Sequence, residues 1–342
     1  MLKALFDKYT LRFKVPARTS RGELVDKQVY LLRIYDESSP AVVGIGECST
    51  LKGLSYDDKP KYESVLERLC RDINLPVPQL KKELSDWPSI RFGLECALIN
   101  LSKGGKGLLF ETPFTRGEQP IPINGLVWMG DIDHMRKQVK DKIAAGFPVI
   151  KLKVGALDFD KELALLHDIR KAHPAREITL RLDANGAFSF TDALDKLKAL
   201  APYAIHSIEQ PVKAGNPGVM RMLCEQSPVP IALDEELIGH HSTEERDRLL
   251  SLINPPYIIL KPSLLGGFSV CNDWIRLCRM SGIGYWITSA LESNVGLSAI
   301  AQYTATLGLN GMAQGLGTGA LYENNFPSDV EIRGGQLWYK TG

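Results

Sequence analysis

Lys153, Asp183, Glu209, Asp234 and Lys261 each close a short apolar run, and the steps between them are 30, 26, 25 and 27 residues. A strand, a helix and two loops fill that kind of interval. The spacing therefore predicts successive βα units with one charged residue at the carboxyl end of each strand. The runs occupy 149–153, 178–183, 206–209, 230–234 and 257–261, and they are rich in Ile, Val and Leu, as strands covered on both faces are. A first run at 121–126, a seventh at 284–289 and a short eighth at 312–316 extend the series, with helices expected from Asp133 and about Asp158. Seven or eight such units favour closure over an open doubly wound sheet, and in a closed barrel the carboxyl ends of all strands converge on one face. The expected fold is α/β, a modified (β/α)7β barrel.

Residues 1–120 lack this alternation. Period-two runs at 8–13 and 28–34 read as antiparallel strands, and 57–73 and 88–102 read as helices. These make an α+β capping domain, with polar loops at 16–23 and 51–55. The glycine-rich stretch 103–107 is a connector, because it lacks the spacing and the Ser/Thr of a phosphate loop. The chain thus divides into a capping domain (1–120), a barrel carrying the catalytic site (121–319) and an irregular tail (320–342) that packs back on the capping domain and completes it. At 342 residues it is long enough for a barrel of roughly 200–250 residues and a second unit.

The net charge of +1 provides no field to attract nucleic acid or an anionic membrane. The six cysteines form neither a CxxC pair nor a Cys/His metal spacing, and several lie in apolar helical context, which suits reduced thiols. No signal-peptide pattern opens the chain and no apolar stretch reaches membrane-spanning length. A soluble, cytoplasmic protein without nucleic-acid or membrane partners is expected, and no motif fixes an oligomeric state.

Asp183, Glu209 and Asp234 have no histidine or cysteine among them, and oxygen-only ligation selects Mg²⁺ or Mn²⁺ over zinc or copper. The competing reading, that each acid caps the helix after it, suits any one of them better than all three at equivalent strand ends. Lys151 and Lys153 alternate with Leu152, so both point to one side of their strand, the barrel interior. A lysine near another cation and a metal has its pKa lowered and can serve as a base. Lys261 stands across the barrel mouth. Arg181 and Asn185 flank Asp183 as candidate orienting groups, and Glu235 points away from Asp234 as a candidate structural partner. Ser289 and Glu292 lie where substrate contacts fall, just past the seventh strand. Gly266-Gly267 opens a helix whose N–H groups can meet an anion, but isolated glycines of this kind more often mark just a turn. The histidines, including His206, read as surface residues.

Lys151-x-Lys153, Leu182-Asp183-Ala184-Asn185-Gly186, Ile208-Glu209-Gln210-Pro211, Leu233-Asp234-Glu235-Glu236 and the run from Leu260-Lys261 to Gly266-Gly267 resemble the enolase superfamily, muconate-lactonizing subgroup. Within it, the stretches 46–49, 53–55, 123–128, 289–293 and 315–319 are similar to the o-succinylbenzoate synthase family. The resemblance implies a lyase of menaquinone biosynthesis. Asp183, Glu209 and Asp234 would bind Mg²⁺, with Mn²⁺ an allowed substitute, and the carboxylate of a small-molecule substrate would complete the shell. Lys153 would take the proton α to that carboxylate and assist syn loss of a hydroxyl, converting 2-succinyl-6-hydroxy-2,4-cyclohexadiene-1-carboxylate to o-succinylbenzoate. Lys261 would face the intermediate as a positive charge, and the loops near 18–23 and 51–55 would close over the substrate. An N-acylamino acid racemase or dipeptide epimerase on the same scaffold is the alternative. A barrel retired to a binding or structural role is a third reading, and its signature, loss of a ligand or lysine, is missing.

Overall fold

The computed structural model describes residues 1–19, 22–309 and 311–341. Alternating side chains over the first 50 residues form three antiparallel strands, β1 (Leu2–Thr19), β2 (Gly22–Asp36) and β3 (Val43–Ser49). Period two gives β2 two apolar faces. Tyr30, Leu32 and Ile34 pack against helices Tyr62–Arg71 and Pro88–Ser102, while Val29 joins Leu11 and Phe13 in a separate core. Glycine permits the close approach of β3 to the second helix, since a Cβ on Gly46 would run into the carbonyl oxygen of Gly93. The expected loop at 16–23 is instead mostly paired, Ala17 with Leu24, Arg18 with Glu23 and Thr19 with Gly22. The ladder shifts register between Arg12 and Ala17, where Pro16 has no N–H to contribute. Ser20 and Arg21 of that expectation lie outside the described residues.

The remaining strands are β4 (Ile121–Pro122), β5 (Gly125–Val127), β6 (Val149–Lys153), β7 (Thr179–Asp183), β8 (Ile205–Glu209), β9 (Ile231–Leu233), β10 (Tyr257–Leu260), β11 (Gly284–Ile287), β12 (Val330–Arg333) and β13 (Gln336–Tyr339). β5 to β11 form one parallel sheet in sequence order. The expected eighth strand is reduced to bridges that join the sheet's two edges. Gly315 N donates to Ile287 O at 2.8 Å, and Asn124 N donates to Gln314 O at 3.0 Å. The molecule is an α/β fold, a parallel sheet curled into a barrel with an N-terminal antiparallel sheet domain.

Two further expectations change. The first run, 121–126, is split, because Ile121 and Pro122 pair with β13 while Gly125 to Val127 pair with β6. The tail is not irregular, since β12 and β13 form a hairpin through Gly334 and Gly335. Both glycines have positive φ, as a two-residue hairpin turn requires. Before that hairpin, Lys14 N donates to Leu321 O and Glu323 N to Arg12 O, both at 2.9 Å, joining the tail to β1.

Candidate active site

Strand register decides which side chains enter the barrel. Lys151 pairs with Arg181, Lys153 with Asp183, and Asp183 with Glu209. Residues two apart share a face, so these side chains form two stacked layers inside the barrel. Asp234 and Lys261 directly follow β9 and β10 and reach the upper layer. Lys151, Asp183, Glu209 and Asp234 are all buried, a costly state for charges unless each is paired.

The pairing is close. The Lys151 ammonium bridges Asp183 at 3.0 Å and Glu209. Lys153 Nζ lies 3.2 Å from Asp183 Oδ2 and 2.6 Å from Asn185 Oδ1, and Lys261 Nζ lies 2.5 Å from Asp234 Oδ2. Burial alone would lower Lys151 and Lys261. The charges of Asp183, Glu209 and Asp234 around the first, and of Asp234 and Glu235 around the second, outweigh it and raise both. Lys151 thus moves opposite to the lowering expected of a lysine beside a bound metal. Burial would raise Asp183, but Lys151, Lys153 and Lys261 hold it well below the usual carboxylate range. Glu209 moves the other way: burial, only partly offset by Lys151, and the charges of Asp183 and Asp234 push it up.

Among the described residues, no three Asp, Glu, His or Cys side chains stand together at metal-ligating spacing, and lysine ammonium groups lie between the acid oxygens. The donor set nonetheless fits a hard divalent cation. All three acids offer oxygen, and Glu209 Oε1 is buried with no hydrogen-bond partner among the described residues. The capping alternative finds little here. Asp234 makes no side-chain bond to the turn Glu235–Leu237, and among the described residues the one backbone N–H that the Asp183 side chain accepts is that of Asn185, in the loop after β7, at 3.1 Å.

The other candidates separate by height in the barrel. Asn185, at φ 44°, receives Lys153 and donates to Glu235 Oε1 at 3.1 Å, so Glu235 turns toward the site rather than away from it. Arg181 lies in the layer below, over the Trp286 ring at 4.1 Å, donating to Ala313 O at 2.7 Å. Burial lowers it to about 10. His206, expected at the surface, is half-buried beside Tyr257 and is lowered to about 4 by burial and then Arg181. Ser289 hydrogen-bonds Thr318 at 2.6 Å and lines the cavity. Glu292 does not line it, being buried behind the wall against Ser263 and Ala290 N. The N–H groups after Gly266-Gly267 do meet an anion, the protein's own Glu95.

A cavity of about 620 Å³ opens over this cluster, a size that suits a small organic ligand. Lys151, Lys153, Asp183, Asn185 and Lys261 form its polar floor, and Leu51, Lys52, Gly53 and Leu54 with Gly22, Glu23 and Leu24 form the rim nearest the N-terminal domain. Sequence reasoning missed Trp128, whose ring centroid is 5.7 Å from Lys153 Nζ, and also Asn124, Thr288 and Thr318. None is charged at a strand end, the signal that exposed the others.

The family model described as Enolase C-terminal domain-like matches residues 134–342. The o-succinylbenzoate synthase of Desulfotalea psychrophila is 45% identical, over 96% of this chain and 96% of its own. The crystal structure of MenC from the same organism superposes with a TM-score of 0.87 at 41% identity, covering 98% of this chain and 99% of that one. The L-Ala-D/L-Glu epimerase of Bacillus subtilis shares the fold at 18% identity, with a TM-score of 0.85 over 99% of this chain and 96% of its own. A family match over more than half of the chain, joined by kinship along nearly all of it, means that the chain belongs to the enolase C-terminal domain-like family.

Proposed function

We propose that this chain is an o-succinylbenzoate synthase, a cytoplasmic hydro-lyase that dehydrates 2-succinyl-6-hydroxy-2,4-cyclohexadiene-1-carboxylate in menaquinone biosynthesis. The observation that carries the reading is a cavity lined by Lys151, Lys153, Asp183 and Lys261, with buried Glu209 and Asp234 paired to Lys151 and Lys261 beneath it, in a chain 45% identical to a protein of that name. Residues 121–319 would supply the chemistry, and residues 1–120 with the tail 320–342 would cap it. Enolase superfamily members depend on a divalent metal. Asp183, Glu209 and Asp234 would hold Mg²⁺, or Mn²⁺ in its place, and when bound the ion supplies the concentrated positive charge that a carboxylate-stabilised carbanion needs.

Lys153, as the free amine, takes the proton from the carbon α to the substrate carboxylate, and the C–H electron pair moves toward that carboxylate. The pair then returns to form the ring double bond as the C–OH bond on the same face breaks. The Lys153 ammonium delivers its proton to the departing oxygen, so water leaves and the amine is restored. Lys261 stays protonated and faces the developing negative charge. Asn185 orients Lys153 through its 2.6 Å bond, and Ser289 lines the wall beside the substrate.

A second reading, racemisation or epimerisation of an N-acylamino acid or dipeptide, draws support from the same two lysines, one for each face. One assay series separates the two. Dehydration of the cyclohexadiene acid should proceed with Mg²⁺ and stop on chelation. Asp234→Asn, which removes one ligand charge, should weaken Mg²⁺ binding about a hundredfold by calorimetry and reduce turnover accordingly. Rapid α-deuterium exchange of both N-acylamino acid enantiomers without any dehydration would replace the synthase reading with the racemase one.

A further inference from the structure

A buried cation outside the reacting cluster joins the N-terminal sheet to one wall of the cavity. Lys27 stands on β2, two residues before Val29 and on the same face, and it is 5% exposed. Its ammonium donates to the carbonyl oxygens of Ala290 at 2.8 Å and Leu291 at 2.9 Å. Both residues line the cavity beside Ser289. Leu291 has φ 61°, a conformation that costs a branched side chain free energy and persists only where its surroundings impose it.

Those surroundings converge on the same segment. Tyr322 Oη donates to Leu291 O at 2.6 Å. Buried Glu292 accepts from Ala290 N at 2.8 Å and from Ser263 Oγ, two residues beyond Lys261. Glu47 on β3 accepts from Ser293 N at 3.0 Å and Gly296 N at 2.9 Å. Burial lowers the pKa of Lys27, and the neighbouring charges of Glu292 and Glu47 offset that only in part. An apolar side chain would fill the same space, but it would leave two inward carbonyls without a donor and two buried acids without a cation.

We infer that Lys27 is a positioning residue that sets the wall at 289–291, and through it the affinity for the part of the substrate lying away from the reacting carbon. The N-terminal domain thus contributes to substrate recognition through a cation placed beneath the wall as well as through the rim. The inference rests on the dehydratase reading of the cavity.

Lys27→Met keeps length and bulk while removing the charge and both hydrogen bonds. Loss of charge-assisted bonds to the wall should raise KM, and weaken o-succinylbenzoate binding measured by calorimetry, by about tenfold, with kcat within about twofold. A role confined to stability would lower the melting temperature and the active fraction and leave KM unmoved. Unchanged KM and product affinity in folded Lys27→Met, beside an active wild type, overturn the inference alone. A wild-type chain that neither dehydrates the substrate nor binds the product removes the dehydratase reading and the inference with it. Should Lys27→Met fail to fold, Tyr322→Phe decides. Losing its single bond to Leu291 O should raise KM about threefold, and an unchanged KM overturns the inference.

Discussion

Asp57 stands just past the loop that forms the cavity rim, fully buried. Its Oδ2 accepts from Ser89 N at 2.8 Å and Ser89 Oγ at 2.6 Å, while Oδ1 has no partner among the described residues. Burial outweighs the Ser89 bonds and raises its pKa from 3.8 to about 6. Between those values the folded chain holds a proton that the unfolded chain has released. Stability from this group is therefore complete below about pH 4 and is lost as the pH rises through 6. A shift of that size corresponds to about 3 kcal/mol. Asp57→Asn carries no such titration. Urea denaturation of both proteins at pH 4 and pH 7 should show the variant gaining up to about 3 kcal/mol on the wild type over that interval, and a constant difference would contradict the assignment. The lysine–carboxylate cluster was legible as an ordered set, because Lys153, Asp183, Glu209, Asp234 and Lys261 recur at the ends of successive apolar runs. Lys27 was not, although it occupies a slot where the alternation Lys27-Gln28-Val29-Tyr30-Leu31 calls for an apolar side chain.

Two elements of the barrel begin on carboxylates supplied by the first 120 residues. Helix Phe268–Ser281 starts on Glu95, which accepts from Phe268 N at 2.6 Å, from Ser269 N at 3.3 Å and from Ser269 Oγ, and which pairs with Lys81 at 2.5 Å. Helix Asn294–Thr306 starts on Glu47 in the same manner. Gly267 has no Cβ because one would strike the Glu95 carboxylate. At Gly266-Gly267 the pattern favoured a plain turn over an anion site, and the carboxylate that the helix does meet lies more than 170 residues away, where local pattern has no reach. The same limit explains the split at 121–126, since Ile121 and Pro122 pair with β13 more than 200 residues on, whereas the hairpin at 330–339 is a local pairing whose turn signal, Gly334-Gly335, was overlooked. The barrel strands were legible because a two-sided apolar run is a local property. Removing the cap should be costly. Glu95→Ala leaves two helix N–H groups and Lys81 without their acceptor, so urea denaturation should show a loss of about 1–3 kcal/mol, with the helix Phe268–Ser281 losing hydrogen-exchange protection first.

Over the whole molecule, the bonds that cross between the N-terminal sheet and the barrel are mostly buried and charged. Glu47 and Glu95 cap barrel helices, Lys27 holds the wall after β11, and the segment 321–326 pairs with β1 through Lys14, Arg12 and Tyr9, whose hydroxyl donates to Asn324 O at 2.8 Å. If the N-terminal sheet melted alone, it would strand these acids' partners in a folded barrel and expose Tyr322 from its shared core with Leu11 and Phe13. Each such orphaned group costs about 1–3 kcal/mol, so partial unfolding is unfavourable by more than the sheet's own melting. The two parts should therefore unfold together. Scanning calorimetry of the wild type is expected to give one transition whose calorimetric and van't Hoff enthalpies agree. In Glu47→Ala/Glu95→Ala the crossing caps are gone and the tail remains, so the transition should broaden and the van't Hoff value fall below the calorimetric one. Two resolved transitions in the wild type would show that the caps fix the barrel's helices without coupling its stability to the sheet.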